Sequence, residues 1–512
     1  MSTAPTAATG DEHFDPTITT VAGTGVAGPP KGETERAFSA QLNGPLGLAV
    51  DSAGTVYVAD SGNHQVRKIT TDGKISTVAG TGVAGPGGDG GLAVSAQLSS
   101  PRAMAVDSAG DLYIADAGNN MIRKVTMADG KISGVAGTGA AAFGGDGDLA
   151  TAARLNYPAG VALDSAGDLY IADYANHRVR KITMADGKIS TVAGTSTPTF
   201  GADGVPAISA PLNHPMGVAV DSADDLYIAD HNNHRVRKIT WADGKISTVA
   251  GTGTPTFGND GVLAISAPLY APMAVVVDST DILYIADCYN HRVRKVTADK
   301  KISTVAGTGA GTFGADGVPA ISAPLNNPYG LAVDCVDTLY IADHANHRVR
   351  RVASARMAGL PDSGTVASWA NVRSKLRMGV VRESTKDGAE VHQTLAASRD
   401  HQQWRLIAAG HDDGDILYRI ENVRSGKVLE VVGAGTAEGA VVGQRAHEGA
   451  DARHQQWKLI PVGSVTDSPR VFEIANRNSG LLLYVDTNAR TVIRQHGSQG
   501  DQRNRQWQLL PV

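Results

Sequence analysis

The chain is poor in cysteine: among 512 residues only Cys288 and Cys335 occur. One follows an "IAD" run and the other an "LAVD" run in the next repeat, at opposite ends of their strands. Two free thiols are therefore expected rather than a disulfide. No stretch of about 18 apolar residues exists, so no membrane-spanning helix and no membrane partner is expected. The opening residues, MSTAPTAATGDEHFDPT, lack a basic segment followed by an apolar one and do not read as a secretory leader. A reducing, cytoplasmic location is the simplest expectation, with non-classical export left open. Positive charge is short as well. The formal net charge is −5, and the residues before Val366 carry 27 Lys and Arg against 35 Asp and Glu. A net-acidic surface is a poor partner for phosphate backbones, so no nucleic-acid ligand is expected. GxSxG, HExxH and Gly-rich phosphate loops are missing from any supporting context, and no catalytic residues and no cofactor are expected.

Glycine, in contrast, is plentiful, with 60 residues scattered between short Val/Ile/Tyr runs. That composition points to an all-β chain with many tight turns. Six segments align without gaps, from "VYVADSGNHQVRKI" at Val56 to "LYIADHANHRVRRV" at Leu339. Their aspartates, Asp60, Asp116, Asp173, Asp230, Asp287 and Asp343, recur every 56 or 57 residues. Each unit divides into four strands, of the types "GVAVDS", "LYIAD", "RVRKI" and "KISTVAG", with "SAGD" and "ADGK" as hairpin turns. Four antiparallel strands repeated around a ring describe a propeller blade. The fourth strand appears once before the first unit, at Thr17, and not in full after the sixth. The strand at Thr17 is therefore expected to close the sixth blade and leave no open edge.

"NHRVRK" after "YIAD", with "PxGxAVD" opening the units, resembles the NHL-repeat propeller family over about residues 17 to 352. The resemblance implies a six-bladed propeller, in a family that ranges from interaction and RNA-binding platforms to a few lyases. The amidating lyases of this fold place metal-binding histidines just after the proline of the innermost strand. Here those positions hold Leu46, Arg102, Ala159, Met216, Met273 and Tyr329. None is a histidine, and His214 nearby stands alone.

Asp230, Asn233, His234 and Arg237 recur in kind on other blades, which assigns them to scaffold. The position after the Asp varies: Ser61, Ala117, Tyr174, His231, Cys288, His344. Equivalent sites on neighbouring blades should be about 10 Å apart or more, whereas zinc bonds are about 2.0–2.3 Å, so no metal site is expected there. Asp203 and Asp316, in "ADGVPAISAPL" loops, are expected to be turn or capping residues, because calcium would need several acids together. The connections from the fourth strand to the next blade run roughly 20 residues, long enough to decorate a binding surface. They are expected on the face that carries the variable positions. A protein or peptide partner is expected there, with Tyr174, His231, His344, Arg102 and Tyr329 as candidate contacts.

The period is lost after Val352. Residues 353–365 read as a linker, residues 1–16 as a disordered segment, and residues 366–512 as a second domain. Asn371, Asn422 and Asn476 are followed by Trp404, Trp457 and Trp507, at separations of 33, 35 and 31 residues. Three such lobes imply a β-trefoil. "HQQW", "HQQW" and "SGKVLEV" resemble the ricin B-type lectin family, although Arg505 replaces the Gln of the third QxW. The resemblance implies a sugar site built from an acid, a stacking aromatic and a polar residue before QxW. The acid position holds Gly379, Glu430 and Tyr484, and the aromatic position, aligned by sequence, holds Thr394, Arg445 and Gln495. Glu430, Arg445 and His454 of lobe two form the candidate carbohydrate site, for a possible glycan ligand.

The expectation is an all-β protein, a six-bladed propeller plus a C-terminal trefoil, acting in non-catalytic recognition. Two alternatives stand beside it. One is a lectin proper, completed by an aromatic such as Tyr484 or Trp369. The other is a lyase or hydrolase using the channel mouth.

Overall fold

The computed structural model describes residues 16–30 and 35–353, and from residue 360 onward all but 362, 373, 397–399, 413–414, 439, 450–451, 463–470, 486–492, 498–504 and 512. The segment assigned to 1–16 lies, but for Pro16, outside the described residues, as do 354–359 and 362 of the stretch read as a linker. Every described element is a strand or a one-turn 3-10 helix.

Six antiparallel sheets stand around a central channel. In the fourth blade the strands run Pro215–Val220, Leu226–Asp230, Arg235–Thr240 and Lys245–Ala250 from the axis outward. The second strand reads as an unbroken apolar run because a blade is covered on both faces by its neighbours. In Leu112–Asp116 every residue is buried. Tyr113 and Ala115 share a cluster with Leu155, Val161 and Ile171 of the following blade. A strand covered on one face would alternate instead. At the axis the inner strands converge so closely that side chains are limited. A Cβ on Gly330 would sit 2.0 Å from the Leu46 carbonyl oxygen, and one on Gly160 would sit 2.2 Å from that of Met216.

Thr17–Ala22 pairs antiparallel with Arg348–Val352, as the outer strand of the sixth blade. The first and last strands of the propeller, far apart in sequence, thus join one sheet. The long connections differ from the sequence expectation. Each leaves the channel-mouth face but then folds down the flank of the next blade: Gly204 N donates to Ile246 O at 2.8 Å and Ala207 N to Gly244 O at 3.0 Å. Their backbone groups are satisfied by that blade's outer hairpin, so they form a girdle rather than a canopy over the face.

The second unit is a closed sheet barrel of trefoil form. Trp404, Trp457 and Trp507 are fully buried, and each indole donates to a backbone carbonyl of its own lobe, Met378 at 3.0 Å, Leu429 at 2.9 Å and Leu483 at 3.2 Å. Asn422 and Asn476 reach back to the carbonyls of Gln403 and Gln456, just before the preceding tryptophan, both at 3.4 Å. The two units touch through the sixth blade. Its first turn, Asp334-Cys335-Val336-Asp337, places Val336, with no exposed surface, in the trefoil's hydrophobic core. The corresponding residues of the other blades, Ala53, Ala109, Ala166, Ala223 and Thr280, are exposed. The Cys335 thiol lies 3.7 Å from the Ala408 carbonyl oxygen. Both cysteines are free, and burial pushes each thiol up to about 12, away from reactive thiolate.

Candidate functional site

The turn that follows each second strand sets the geometry of the channel mouth. Asp230 is fully buried. Its Oδ1 accepts from Asn213 N and its Oδ2 from Asn233 Nδ2, both at 2.8 Å, and Arg237 stands 3.6 Å away. Burial pushes the carboxyl up to about 6, against the pull of those partners. Arg237 is itself fully buried and extends to Asp203 of the preceding connection, at 2.9 Å. Asp316 meets Arg350 at 2.9 Å in the same way. Asp203 and Asp316 do lie in turns, and each is in addition a second carboxylate for a buried guanidinium group. A desolvated arginine needs compensation on more than one side. Phe200 lies over Arg235 and Arg237, with ring centroids 4.1 and 4.7 Å from the two guanidinium carbons.

His234 links adjacent blades. Its backbone is left-handed at φ 52°, and its Nδ1 accepts the N–H of Ala271 in the next blade at 3.2 Å. His64, His177 and His291 do the same for Ser100, His214 and Asn327, and His347 closes the circle onto Gly44 at 3.0 Å. In the second blade Asn120 Oδ1 takes this place, accepting from Tyr157 N at 2.9 Å. The accepted N–H belongs to the residue before each inner-strand proline. To present it, Ser100, Tyr157, His214, Ala271 and Asn327 all adopt positive φ, between 48° and 56°. Such backbone is rare for tyrosine or alanine and marks an over-determined site.

These strained residues lift their side chains around the channel. Tyr157 packs against Tyr174 at 6.0 Å, Tyr174 against His214 at 4.6 Å, and His214 edge-on to His177 at 4.3 Å. Tyr270 and Tyr289 form a second pair at 5.2 Å, and Tyr329 meets His344 at 5.7 Å. At the centre Arg102 reaches across the channel. Its guanidinium lies 5.1 Å from the ring centres of both Tyr157 and Tyr329, within cation–π range. Burial pushes His231 down to about 4 and lowers His344, with the charge of Arg102 adding to both, so these imidazoles are neutral near pH 7.

The structure therefore brings Arg102, Tyr329, Tyr174 and His344 into one aromatic mouth, with His231 buried in its wall. Tyr157, Tyr270 and Tyr289 were missed by the sequence reading, and His214 was set aside as solitary. The signal was present: tyrosine or histidine directly before or shortly after the mouth's repeat positions, where other blades carry small residues. Among the described residues no three His, Cys, Asp or Glu side chains gather to hold a metal.

In the trefoil, Glu430, Arg445 and His454 come together. Arg445 Nε lies 3.0 Å from each carboxylate oxygen of Glu430, and His454 Nε2 lies 3.5 Å from one of them. Glu430 has no exposed surface, whereas Arg445 is half-buried and the nearby Glu448 is exposed. Strand register corrects one alignment. Val428 faces Arg445 as Leu482 faces His496, so lobe three carries His496 at the aromatic position. Gln495 is a buried residue bonded to Ser479 and the Gly435 carbonyl. Trp369 is fully buried against Phe472 and cannot stack on a sugar, and Tyr484 pairs with Arg494 in lobe three. Arg505, in place of the third glutamine, pairs with Glu473 at 2.7 Å.

Fold and sites together define an all-β, two-module architecture of the binding kind. Residues 139–353 match the teneurin NHL domain, residues 42–69 the NHL repeat, and residues 359–445 and 400–495 the ricin-type β-trefoil lectin-like domain. The chain thus carries an NHL-repeat six-bladed propeller followed by a ricin B-type trefoil, and both are generally binding modules. NHL repeat-containing protein 2 of Homo sapiens is 30% identical over 322 residues, covering 55% of this chain and 42% of that protein. Teneurin-m of Drosophila melanogaster is 29% identical over 356 residues, covering 62% of this chain and 12% of it. The chain spans less than half the length of either. A crystal structure of a protein of unknown function from Bacteroides thetaiotaomicron is similar with a TM-score of 0.50 at 20% identity, covering 66% of this chain and 76% of that one. At that identity the likeness is one of fold. Among the described residues no helix is long and apolar enough to cross a membrane.

Proposed function

We propose that this protein is a non-catalytic recognition protein whose propeller receives a protein or peptide partner on the channel-mouth face. The observation that carries the reading is the mouth itself, where tyrosine and histidine rings surround Arg102. Tyrosine and arginine are the side chains that contribute most at protein interfaces, because they offer large contact area together with a polar end. The two free thiols, Cys288 buried and Cys335 half-buried, fit a reducing cytoplasmic setting, which forms part of the proposal.

A peptide library displayed on phage and selected on the full chain tests this reading. Selected peptides should lose binding to Tyr174→Ala and Tyr289→Ala while keeping it for the flank variant Ile208→Ser. Peptides indifferent to the mouth variants, or no selected peptides at all, would reject it.

A second reading concerns lobe two, favoured by the retained acid Glu430 beside Arg445 and His454. Both carboxylate oxygens already face Arg445, and no ring stands at the aromatic position. Any glycan contact there would rest on Arg445 and Glu448. A glycan array of the full chain beside Arg445→Ala and Glu448→Ala decides the matter: binding lost in both variants supports a lectin site, and silence removes it for the glycans displayed.

A further inference from the structure

The channel mouth holds polar atoms that none of the described residues satisfies. Arg102 Nε is buried without an acceptor, and so is the hydroxyl of Tyr329. Buried Arg237 and Arg350 also leave their Nε unbonded, but each of those guanidinium groups stands between two aspartates. Arg102 has none. Its contacts are the rings of Tyr157 and Tyr329 and the Met216 sulfur, 3.9 Å from one terminal nitrogen. The carboxylate closest in the sheet, Asp116, faces Pro101 and is engaged by Ser99 N, Asn119 Nδ2 and Arg123. Among the described residues no carboxylate pairs with Arg102. Arg102 is half-buried, and its Nε is sealed from solvent without the acceptor that buried polar groups ordinarily have.

We infer that the mouth is a carboxylate-binding site, in which the Arg102 fork receives the two oxygens of the anion and the Tyr329 hydroxyl donates to one of them. The inference rests on the binding-face reading above and names the chemistry of what that face accepts. Three observations choose a carboxylate. Arg102 is the one charged residue among the six positions after the inner prolines, and the flanking histidines are neutral, so the site offers a single positive charge. A planar guanidinium makes a two-point contact with a carboxylate or a phosphate alike, but one positive charge balances a carboxylate and leaves a phosphate dianion only half neutralised. The channel cavity under Arg102 and Tyr329 measures about 80 Å³. That space admits a carboxylate and its first carbons but falls well short of the roughly 300 Å³ or more of a pocket that encloses a whole drug-sized ligand. The anion is therefore the tip of a larger partner or a very small acid. Met216 and Met273, both buried beside the mouth, supply an apolar floor for the carbons next to the charge.

The test uses the full chain with methyl-labelled methionine and follows the Met216 and Met273 signals by NMR. Acetate and N-acetylglycine are titrated, with acetamide, chloride and phosphate as controls at matched ionic strength. Both carboxylates should give saturable shifts with dissociation constants on the order of millimolar, as fits ligands of a few atoms. Acetamide and chloride should give none. Tighter binding of N-acetylglycine would assign the carboxylate to a chain end, and equal binding to a side chain or free acid.

Arg102→Met installs the residue that blades four and five carry at this position and should fold. It should weaken carboxylate binding roughly ten- to a hundredfold, the scale of a charge-assisted two-point contact. Its melting temperature, equal to or above that of the parent, confirms that the loss is not unfolding. Absence of saturation by acetate, stronger binding of phosphate, or undiminished binding in Arg102→Met each overturns the inference. If acetate fails while selected peptides still depend on Tyr174 and Tyr289, the carboxylate inference alone falls. If acetate binds and no peptide does, the partner reading alone falls.

Discussion

The histidine of "NHRVRK" is the residue whose role the repeat pattern stated least directly. In sequence it invites a metal or acid–base reading; in the ring its Nδ1 is an acceptor for the next blade, a role open only to neutral imidazole. Burial lowers His177, His234, His291 and His347 below the ordinary 6.5. A folded value below the unfolded one gives stability that is fully present above pH 6.5 and is lost as pH falls from there towards the folded value. Asp230, raised to about 6, acts in the opposite sense, adding relative stability as pH falls below that value. Comparison with His234→Asn at the same pH cancels the aspartate. Asparagine tolerates left-handed backbone and already makes this contact at Asn120. Urea unfolding should show the variant gaining on the parent between pH 7 and pH 5. A difference independent of pH would dismiss the neutral-acceptor role. The Asp–Asn–Arg set was legible because it recurs. Asp203 and Asp316 lie in turns, as their Asp-Gly sequence indicates; what stayed hidden is the arginine each one meets, 34 residues further along the chain, because no local pattern announces such a pairing.

At the scale of strands, legibility was high. Six copies at a fixed spacing determine a ring, and "DG" and "AG" pairs fix the hairpins. What periodicity could not show is the crowding at the axis, since it depends on where six inner strands meet. Gly330→Ala tests that crowding. Its Cβ would need to occupy space 2.0 Å from the Leu46 oxygen, which joins the sixth blade to the first. The expected cost is about 1–3 kcal/mol, as for overpacking, read as a lowered urea midpoint. Blades two and five carry Ala103 and Ala274 at the equivalent place, so an unchanged midpoint would mean that the sixth blade accommodates a methyl group there as well. The course of the long connections was also hidden. Their length suggested a free surface, but their Gly and Ala residues run close against the next blade's outer strands.

At the scale of the whole molecule, a unit-to-unit contact with a sequence signature is the turn at Cys335-Val336. Five blades place exposed Ala or Thr where the sixth buries valine. Read as a departure from the repeat, that substitution marks the docking point, and it becomes meaningful only once a second core is known to lie against it. Val336→Ser should cost about 1–3 kcal/mol of coupling, from lost apolar burial plus a buried hydroxyl. By calorimetry the trefoil transition should move down while the propeller transition stays. Equal movement of both, or of neither, would contradict the contact's role.

The strand Thr17–Ala22 adds a consequence in time. It leaves the ribosome ahead of the other propeller strands, yet its partner Arg348–Val352 follows about 330 residues later. At synthesis rates of about 5–20 residues per second that is a wait of roughly 15–65 s. Throughout it, one edge strand waits without its partner and the nascent ring stands open, a condition that invites pairing with other chains. A bulky fusion placed ahead of Thr17 should therefore reveal itself as misassembly at the sixth blade, before any other part of the molecule suffers.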